Sequence, residues 1–157
     1  MVVRENVPVL LADSIITVGE PERIKGQRVL VVGDGPTLTH GGMAYGAGTI
    51  AGRDLEAAEI VSGRQFAVGG IKAVYEQYPH MENEVPALGY NPGQLADLEA
   101  TPNAADAVLV LYATTVNLSQ LITVNKPMIA AEYEMRERVG ELNDILADFD
   151  YQRITGG

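Results

Sequence analysis

The stretch that decides the fold is residues 28–58, RVLVVGDGPTLTHGGMAYGAGTIAGRDLEAA. It begins as a short apolar run, turns where Gly33, Asp34, Gly35 and Pro36 follow one another, and continues as a polar loop rich in glycine. From about residue 43 the composition is that of a helix. A strand, a glycine loop and a helix in this order form a known type of anion-binding site, because glycine lets the backbone approach a ligand and a helix start offers unpaired N–H groups.

Strand and helix signals alternate along the rest of the chain. Apolar, β-branched runs predict strands at 7–12, 28–33, 59–61, 86–90, 107–113 and 127–133. Helical spacing lies between them, with one face made of Ile71, Val74, Tyr75 and Tyr78 and another of Leu95, Leu98 and Glu99. Asn91 before Pro92 is typical of a helix start, and a last helix is predicted over 141–149.

These repeated units predict the fold class. The run AVLVLYA at 107–113 is almost continuously apolar, as in strands that are covered on both faces, and this favours a parallel sheet. We expect a doubly wound, Rossmann-like α/β domain with about five mainly parallel strands. The predicted layout is an N-terminal strand and arm at 1–27, in which 14–27 is a linker or irregular arm, the α/β domain at 28–149, and a loose tail at 150–157.

Composition restricts the function classes. The 157 residues are 46% apolar and 20% charged, which fits one ordinary globular domain. The formal net charge of −10 argues against a broad contact with nucleic acid or an anionic membrane surface. The chain has no cysteine, so disulfide and thiolate chemistry are excluded. Because no apolar run approaches the length of a membrane span and the N-terminus makes a poor secretory signal, we expect a cytoplasmic location.

The glycine-rich loop supplies the first group of candidate ligand-binding residues, namely Asp34, Gly35, Thr37, Thr39, His40, Gly41, Gly42 and Gly46. It lacks the lysine of a P-loop, since no lysine lies between Lys25 and Lys72, and it lacks the third glycine of a dinucleotide fingerprint, since Leu38 stands there. In doubly wound folds, ligands bind at the carboxyl ends of strands, where this loop should lie. The alternative is that these glycines serve only a tight turn and close helix packing.

Two cations form the second group of candidates. Arg64 follows a predicted strand, and Lys72 falls in the first turn of a predicted helix. A cation at that place opposes the helix dipole unless an anion or carboxylate sits nearby, so Lys72 indicates a phosphate partner. The alternative is that both residues are simply solvated cations, since a conflict with the dipole costs only about 0.3–1 kcal/mol.

Other motifs do not identify a chemistry. His40 and His80 are the only histidines, and no group of residues has the spacing of metal ligands, so we expect no metal. No nucleophile elbow of the GxSxG type is present. Asn125 and Lys126 begin like the guanine-reading NKxD motif, but Met128 stands where the aspartate belongs, so we interpret them as a turn into the last strand. The sequence assigns no cofactor.

The stretches DGPTLTHGGMAYGAG, AVGGIKAVYEQYPHM and PALGY are more specific than any of these motifs. They resemble the C-terminal region of a family of predicted P-loop GTPases, described as cyclic 2,3-diphosphoglycerate synthetase-like, over about residues 13–135. The segment ADSIITVGEPERIKGQRVLVVGDGPTLTHGG is similar to that family's ADSPITV…IKGKRVLVVEDGPTLTHGG. Family members are longer and carry a P-loop domain before this region, so the resemblance implies a C-terminal domain that stands without it.

The chain also departs from that family. Gly33 stands where the family tends to have glutamate, and ATTVNLSQLI stands where the family has a segment like GTPIDLRRVI. Ala130, Ala131 and Glu132 replace a basic stretch. The resemblance therefore implies that the loop is intact while the cations around it are fewer, which weakens binding of a polyphosphate because charge-assisted contacts contribute most there.

Two functions follow from these observations. The first is a stand-alone phosphate- or nucleotide-binding module, in which the 37–48 loop holds the anion and Arg64 and Lys72 assist. It should not hydrolyse nucleotides alone, because it lacks a P-loop lysine and a metal-holding set of residues. The second is a structural, self-assembling protein, in which residues 1–14 add a strand to a neighbouring copy and form a homo-oligomer.

Overall fold

The structure is a computed structural model that describes the backbone of residues 12–137 and the side chains of residues 16–132. Its elements in chain order are β1 (Ala12–Val18), β2 (Arg28–Asp34), α1 (Gly35–Thr39), α2 (Ala47–Asp54), β3 (Glu59–Ile60), α3 (Gly69–Gln77), β4 (Val85–Ala87), α4 (Pro92–Ala104), β5 (Leu109–Ala113) and β6 (Met128–Glu137). The predicted helix at 141–149 and the predicted tail at 150–157 lie outside the described residues.

The chain divides into two compact units. Residues Ile16–Glu132 form one unit, and all side chains discussed below belong to it. Residues 1–15 together with 133–157 form the other, of which the structure describes only the first residues of β1 and the last residues of β6. Across residues 12–137, no helix combines the length and the apolar character that a membrane span requires.

The sheet is built around β2. One edge of β2 pairs in parallel with β5, which pairs in parallel with β6, and β1 lies beyond β6. The other edge pairs in parallel with two short strands in succession, β3 next to Arg28 and Val29, and β4 next to Val32, Gly33 and Asp34. The predicted mainly parallel sheet is confirmed, with six strands in place of about five.

Both faces of the sheet are covered. Val29 and Val31 of β2 face a buried cluster that contains Ala51 of α2. Leu30 and Val32 face a larger cluster that includes residues of the other helices, namely Leu38 of α1, Ile71 and Tyr75 of α3, and Leu98 of α4. Side chains alternate between the faces of a strand, so a strand that is apolar at every position must be covered on both sides. The predicted doubly wound arrangement is confirmed.

The interpretation of residues 14–27 as a linker or irregular arm is wrong in its first part. Strand β1 extends to Val18, and a short 3-10 turn follows at Pro21–Arg23. The segment IITV at 15–18 is rich in β-branched residues, whose side chains fit a pleated strand. The predicted strand at 7–12 lies outside the described residues except for Ala12, which begins β1.

The start of α4 is as predicted. The Asn91 side chain accepts a hydrogen bond from the Gln94 backbone N–H at 2.9 Å, and the Gln94 side chain accepts one from the Asn91 N–H at 3.3 Å. This reciprocal capping box satisfies two of the N–H groups that a helix start leaves unpaired, and Pro92 occupies the first helical position.

Lys126 supports the other end of α4. Its ammonium group donates to the carbonyl oxygen of Pro102 at 2.8 Å and lies 3.4 Å from that of Asn103, both in the last turn of the helix. A cation at this place donates to carbonyl groups at the end of the helix and complements the helix dipole. Asn125 and Lys126 are thus part of the turn that leads into β6, as predicted.

We expect Lys126→Met to lower the free energy of unfolding by about 1–2 kcal/mol, because it removes the charged donor from the end of α4 and keeps most of the stem. Urea denaturation followed by circular dichroism measures this loss. The matched control is Lys25→Met, which breaks only an exposed ion pair with Glu56 and should cost roughly 0.3 kcal/mol. Equal losses in the two variants would contradict the role of Lys126.

Candidate functional site

The carboxyl ends of three neighbouring strands meet at one edge of the sheet. Asp34 at the end of β2 is opposite Ala87 at the end of β4, and Gly33 is opposite Ala113 at the end of β5. In chain order, β3 and β4 follow β2 and lie on one side of it, and β5 comes next and lies on its other side. The order of strands therefore reverses between β2 and β5. Ligands of open α/β sheets bind in the crevice at such a switch point.

The end of β2 carries a half-buried carboxylate, that of Asp34. The Thr37 hydroxyl donates to this carboxylate at 2.9 Å. Two further hydroxyl groups follow the strands on either side of β2, since Tyr90 comes after β4 and Thr115 comes after β5. Burial raises the pKa of Tyr90, a hydrogen bond with the Thr115 side chain lowers it, and the negative charge of Asp34 raises it.

The predicted loop is open at its tip. Thr37, His40, Gly41 and Gly42 are all exposed. Thr39 is buried instead, and its hydroxyl donates to the Gly35 carbonyl at 2.9 Å, so it serves the turn. The two possible ligand groups of this loop, Thr37 and His40, are accessible to a small molecule.

The start of α2, which the sequence predicts as part of the anion site, holds a carboxylate of the protein itself. Glu84 is only 1% exposed. One of its oxygens accepts hydrogen bonds from the Gly46 N–H at 2.5 Å and from the Thr49 hydroxyl at 3.0 Å. A negative charge at a helix start is stabilised by the unpaired N–H groups and by the dipole. An external anion would have to displace Glu84 to reach this helix start.

Burial dominates the electrostatics of Glu84. It raises the pKa of the carboxyl group above its ordinary value, against the opposing effects of Gly46, Thr49 and the charge of Arg53. The second carboxyl oxygen, Oε1, is buried and has no hydrogen-bond partner among the described residues. An unpaired buried oxygen makes the ionised form costly, which agrees with the direction of the shift.

The structure gives Arg64 a structural role. Its guanidinium donates to the carbonyl oxygens of Tyr75 at 3.0 Å and Met81 at 2.6 Å, and it stacks over the Tyr75 ring at 4.7 Å. Arg64 therefore ties the last turn of α3 to the segment that leads into β4. It is not brought to the loop that begins at Asp34.

Lys72 is exposed in the first turn of α3, as predicted, but the start of that helix also holds a carboxylate of the chain. The Gly70 N–H donates to Asp97 at 3.0 Å. Gly69 begins the helix with a φ of +54°, and a β-carbon there would collide with the Asp97 carboxylate. The anion that the position of Lys72 indicates is thus present at this helix start as Asp97.

The structure therefore groups the candidates differently from the sequence. After Asp34 at the end of β2, the chain exposes Thr37, His40, Gly41 and Gly42. By contrast, Gly46 and Lys72 lie at helix starts that hold Glu84 and Asp97, and Arg64 bonds to backbone carbonyl groups. Sequence reasoning missed Glu84, Tyr90, Thr115 and Asp97. Tyr90 is the last residue of a predicted strand and Thr115 comes two residues after another, which is a signal that could have found them. Among the described residues, no group of three or more His, Cys, Asp or Glu could hold a metal ion.

The chain is similar to one part of a larger curated protein. Over 149 residues it is 47% identical to the arginine synthetase ArcE of Thermococcus kodakarensis. The match covers 94% of this chain and 33% of that protein, so the chain spans about a third of the relative's length. It is therefore related to a domain of a larger synthetase-type protein. No protein-family model and no solved structure matches the chain, and its likeness to the cyclic 2,3-diphosphoglycerate synthetase-like family stays a prediction.

We expect Glu84→Gln to gain stability relative to the wild-type chain as the pH rises. The raised pKa means that the folded protein holds the proton more tightly than the unfolded chain. The stability that this proton gives to the wild-type protein is complete below the pKa of Glu84 in the unfolded chain. It is lost as the pH rises through the pKa of Glu84 in the folded protein. Glutamine at this position does not titrate, so the difference in unfolding free energy should grow by about 1.4 kcal/mol for each unit of pKa difference.

Urea denaturation of both proteins between acidic pH and pH 8 measures this difference. Glu82→Gln is the control, because it removes a neighbouring carboxylate that is exposed and pairs with Arg53 at 3.2 Å. If the stability difference between Glu84→Gln and the wild type stays constant or shrinks with rising pH, the pKa of Glu84 is not raised in the folded protein.

Proposed function

We propose that this chain is a ligand-binding domain of an arginine-synthetase-type protein and that it binds the guanidinium group of arginine at Asp34. The single observation that carries this proposal is the half-buried carboxylate of Asp34 at the switch point, which accepts a hydrogen bond from the Thr37 hydroxyl. The similarity to arginine synthetase ArcE supports the choice of ligand.

Charge favours a cation in this crevice. Asp34 takes part in none of the five ion pairs among the described side chains and receives a hydrogen bond from Thr37 alone. A guanidinium offers five N–H donors in a planar fork that matches the two oxygens of a carboxylate. A phosphate at the same place would be repelled by Asp34. The crevice thus suits arginine better than an anion.

The residues that catalyse bond formation by the synthetase would lie outside this domain. The chain has no P-loop lysine, and a synthetase that uses a nucleoside triphosphate needs such a group and bound metal ions to stabilise the transferred phosphate. We therefore assign binding of arginine to this domain and expect no nucleotide hydrolysis by it.

A second candidate is the binding of a phosphate-bearing small molecule or nucleotide at the tip of the loop. It is favoured by the exposure of Thr37, His40, Gly41 and Gly42, which offer a hydroxyl, an imidazole and flexible backbone. It is weakened by the carboxylates Glu84 and Asp97, which already occupy the starts of α2 and α3.

Isothermal titration separates the two candidates. We expect arginine to bind with one site per chain and more tightly than citrulline, its neutral analogue of nearly equal shape. Asp34→Asn should weaken arginine binding by roughly 10–100-fold and abolish the preference over citrulline, because a charge-assisted bond is worth about 1.5–3 kcal/mol. Asp54→Asn, which changes an exposed carboxylate on α2, is the matched control and should have no effect.

The other outcomes of this titration are decisive too. Heat from GTP, ATP or 2,3-diphosphoglycerate but not from arginine would replace the proposal by the second candidate. Arginine binding that Asp34→Asn does not weaken would move the site elsewhere. A folded chain that binds none of these ligands would refute both candidates.

Self-assembly through residues 1–14 remains the alternative to a binding function, and these residues lie almost entirely outside those that the structure describes. If it holds, light scattering should give a particle several times the chain mass of 16.8 kDa, and a chain that begins at residue 15 should be smaller. A monomer in both cases would remove this alternative.

A further inference from the structure

A cleft lies between α1 and α3 and is bordered by His40 of the exposed loop. It has a volume of about 200 Å³ and is lined mainly by Pro36, His40, Val74, Gln77, Tyr78 and Leu88. Gln77 and Tyr78 lie three and four residues after Val74, so the three side chains lie on one side of the end of α3. Nothing in the proposed binding of a guanidinium at Asp34 uses this space.

The aromatic side chains beside the cleft are held in place. The ring of Tyr78 meets the rings of His40 and His80 edge-on, with centroids 6.1 and 6.0 Å apart and planes at 81° and 85°. The His80 ring is fixed in turn by a 2.7 Å hydrogen bond with the Leu38 carbonyl. Rings that are already oriented lose little entropy when a flat ligand packs against them.

The polar groups at the cleft still have capacity to bond. Gln77 makes only one long contact, 3.5 Å from its amide nitrogen to the Tyr78 hydroxyl, among the described residues. The His40 ring forms no hydrogen bond with the described part of the chain. An amide presents a donor and an acceptor side by side, and a glutamine uses this pair to bind the edge of an adenine ring.

Size limits the ligand to one ring system. Sites for complete drug-sized ligands measure about 300–1,000 Å³, and this cleft is smaller. Its lining combines apolar side chains with an amide and an imidazole, which suits a flat ring that carries nitrogen atoms at its edge. We propose that the cleft between α1 and α3 binds a single heteroaromatic ring system, namely the base of a small nucleoside or nucleotide, with Gln77 at its edge and His40 and Tyr78 as its walls.

Titration of the full chain with adenosine, AMP and ribose 5-phosphate tests this proposal. We expect adenosine to bind at one site, AMP to bind at least as well, and ribose 5-phosphate not to compete. Gln77→Leu and His40→Ala should each weaken adenosine binding by about tenfold. Gln120→Leu is the matched control, since it makes the same exposed change away from the cleft, and it should leave the affinity unchanged.

Four results would overturn the proposal. In the first, the folded chain does not bind adenosine, and in the second, it binds adenosine but neither cleft variant weakens the binding. In the third, ribose 5-phosphate competes with adenosine as well as AMP does. In the fourth, a short oligoadenylate binds more tightly than adenosine. The second would place the ring elsewhere, the third would make the phosphate the recognised group, and the fourth would make the ligand a nucleic acid. A chain that binds arginine but not adenosine overturns this inference and leaves the proposed function standing.

Discussion

The buried carboxylate of Glu84 is the constraint on which the site depends. Its hydrogen bonds with Gly46 and Thr49 link the start of α2 to the residue before β4. The Glu84 side chain also fills the space that side chains at two neighbouring glycines would need. A β-carbon at Gly33 would collide with the carboxylate, and one at Gly46 would approach it to 3.2 Å. The glycines of this segment are thus required by an internal charge as much as by any ligand.

This arrangement changes what the glycine-rich loop can bind. A strand, a glycine loop and a helix attract an anion because the helix start is unsatisfied. Here Glu84 satisfies the start of α2 and Asp97 satisfies the start of α3, while Asp34 adds a further negative charge at the end of β2. The strand, loop and helix of an anion site are present, but the negative charge of Asp34 at the end of β2 repels an anion and attracts a group with N–H donors.

Sequence patterns predicted what depends on periodicity and missed what depends on distant contacts. The strands around β2, the helices α3 and α4, and the cap at Asn91 follow from local spacing and composition. Glu84 is one acidic residue before an apolar run, and nothing local shows that it reaches Gly46 across 38 positions. Likewise, Arg64 looks like a free cation in sequence, although the fold uses it to bind carbonyl groups near Tyr75.

Packing explains some of the loop glycines, whereas ligand approach stays a prediction for the others. At Gly35 and Gly41 a β-carbon would strike the carbonyl groups of Ala87 and Thr37, so these two glycines serve packing. Gly42 differs, because its φ of +66° requires glycine while open space surrounds it. No neighbouring atom explains this exposed glycine, so the local turn of the backbone, and not packing, requires it.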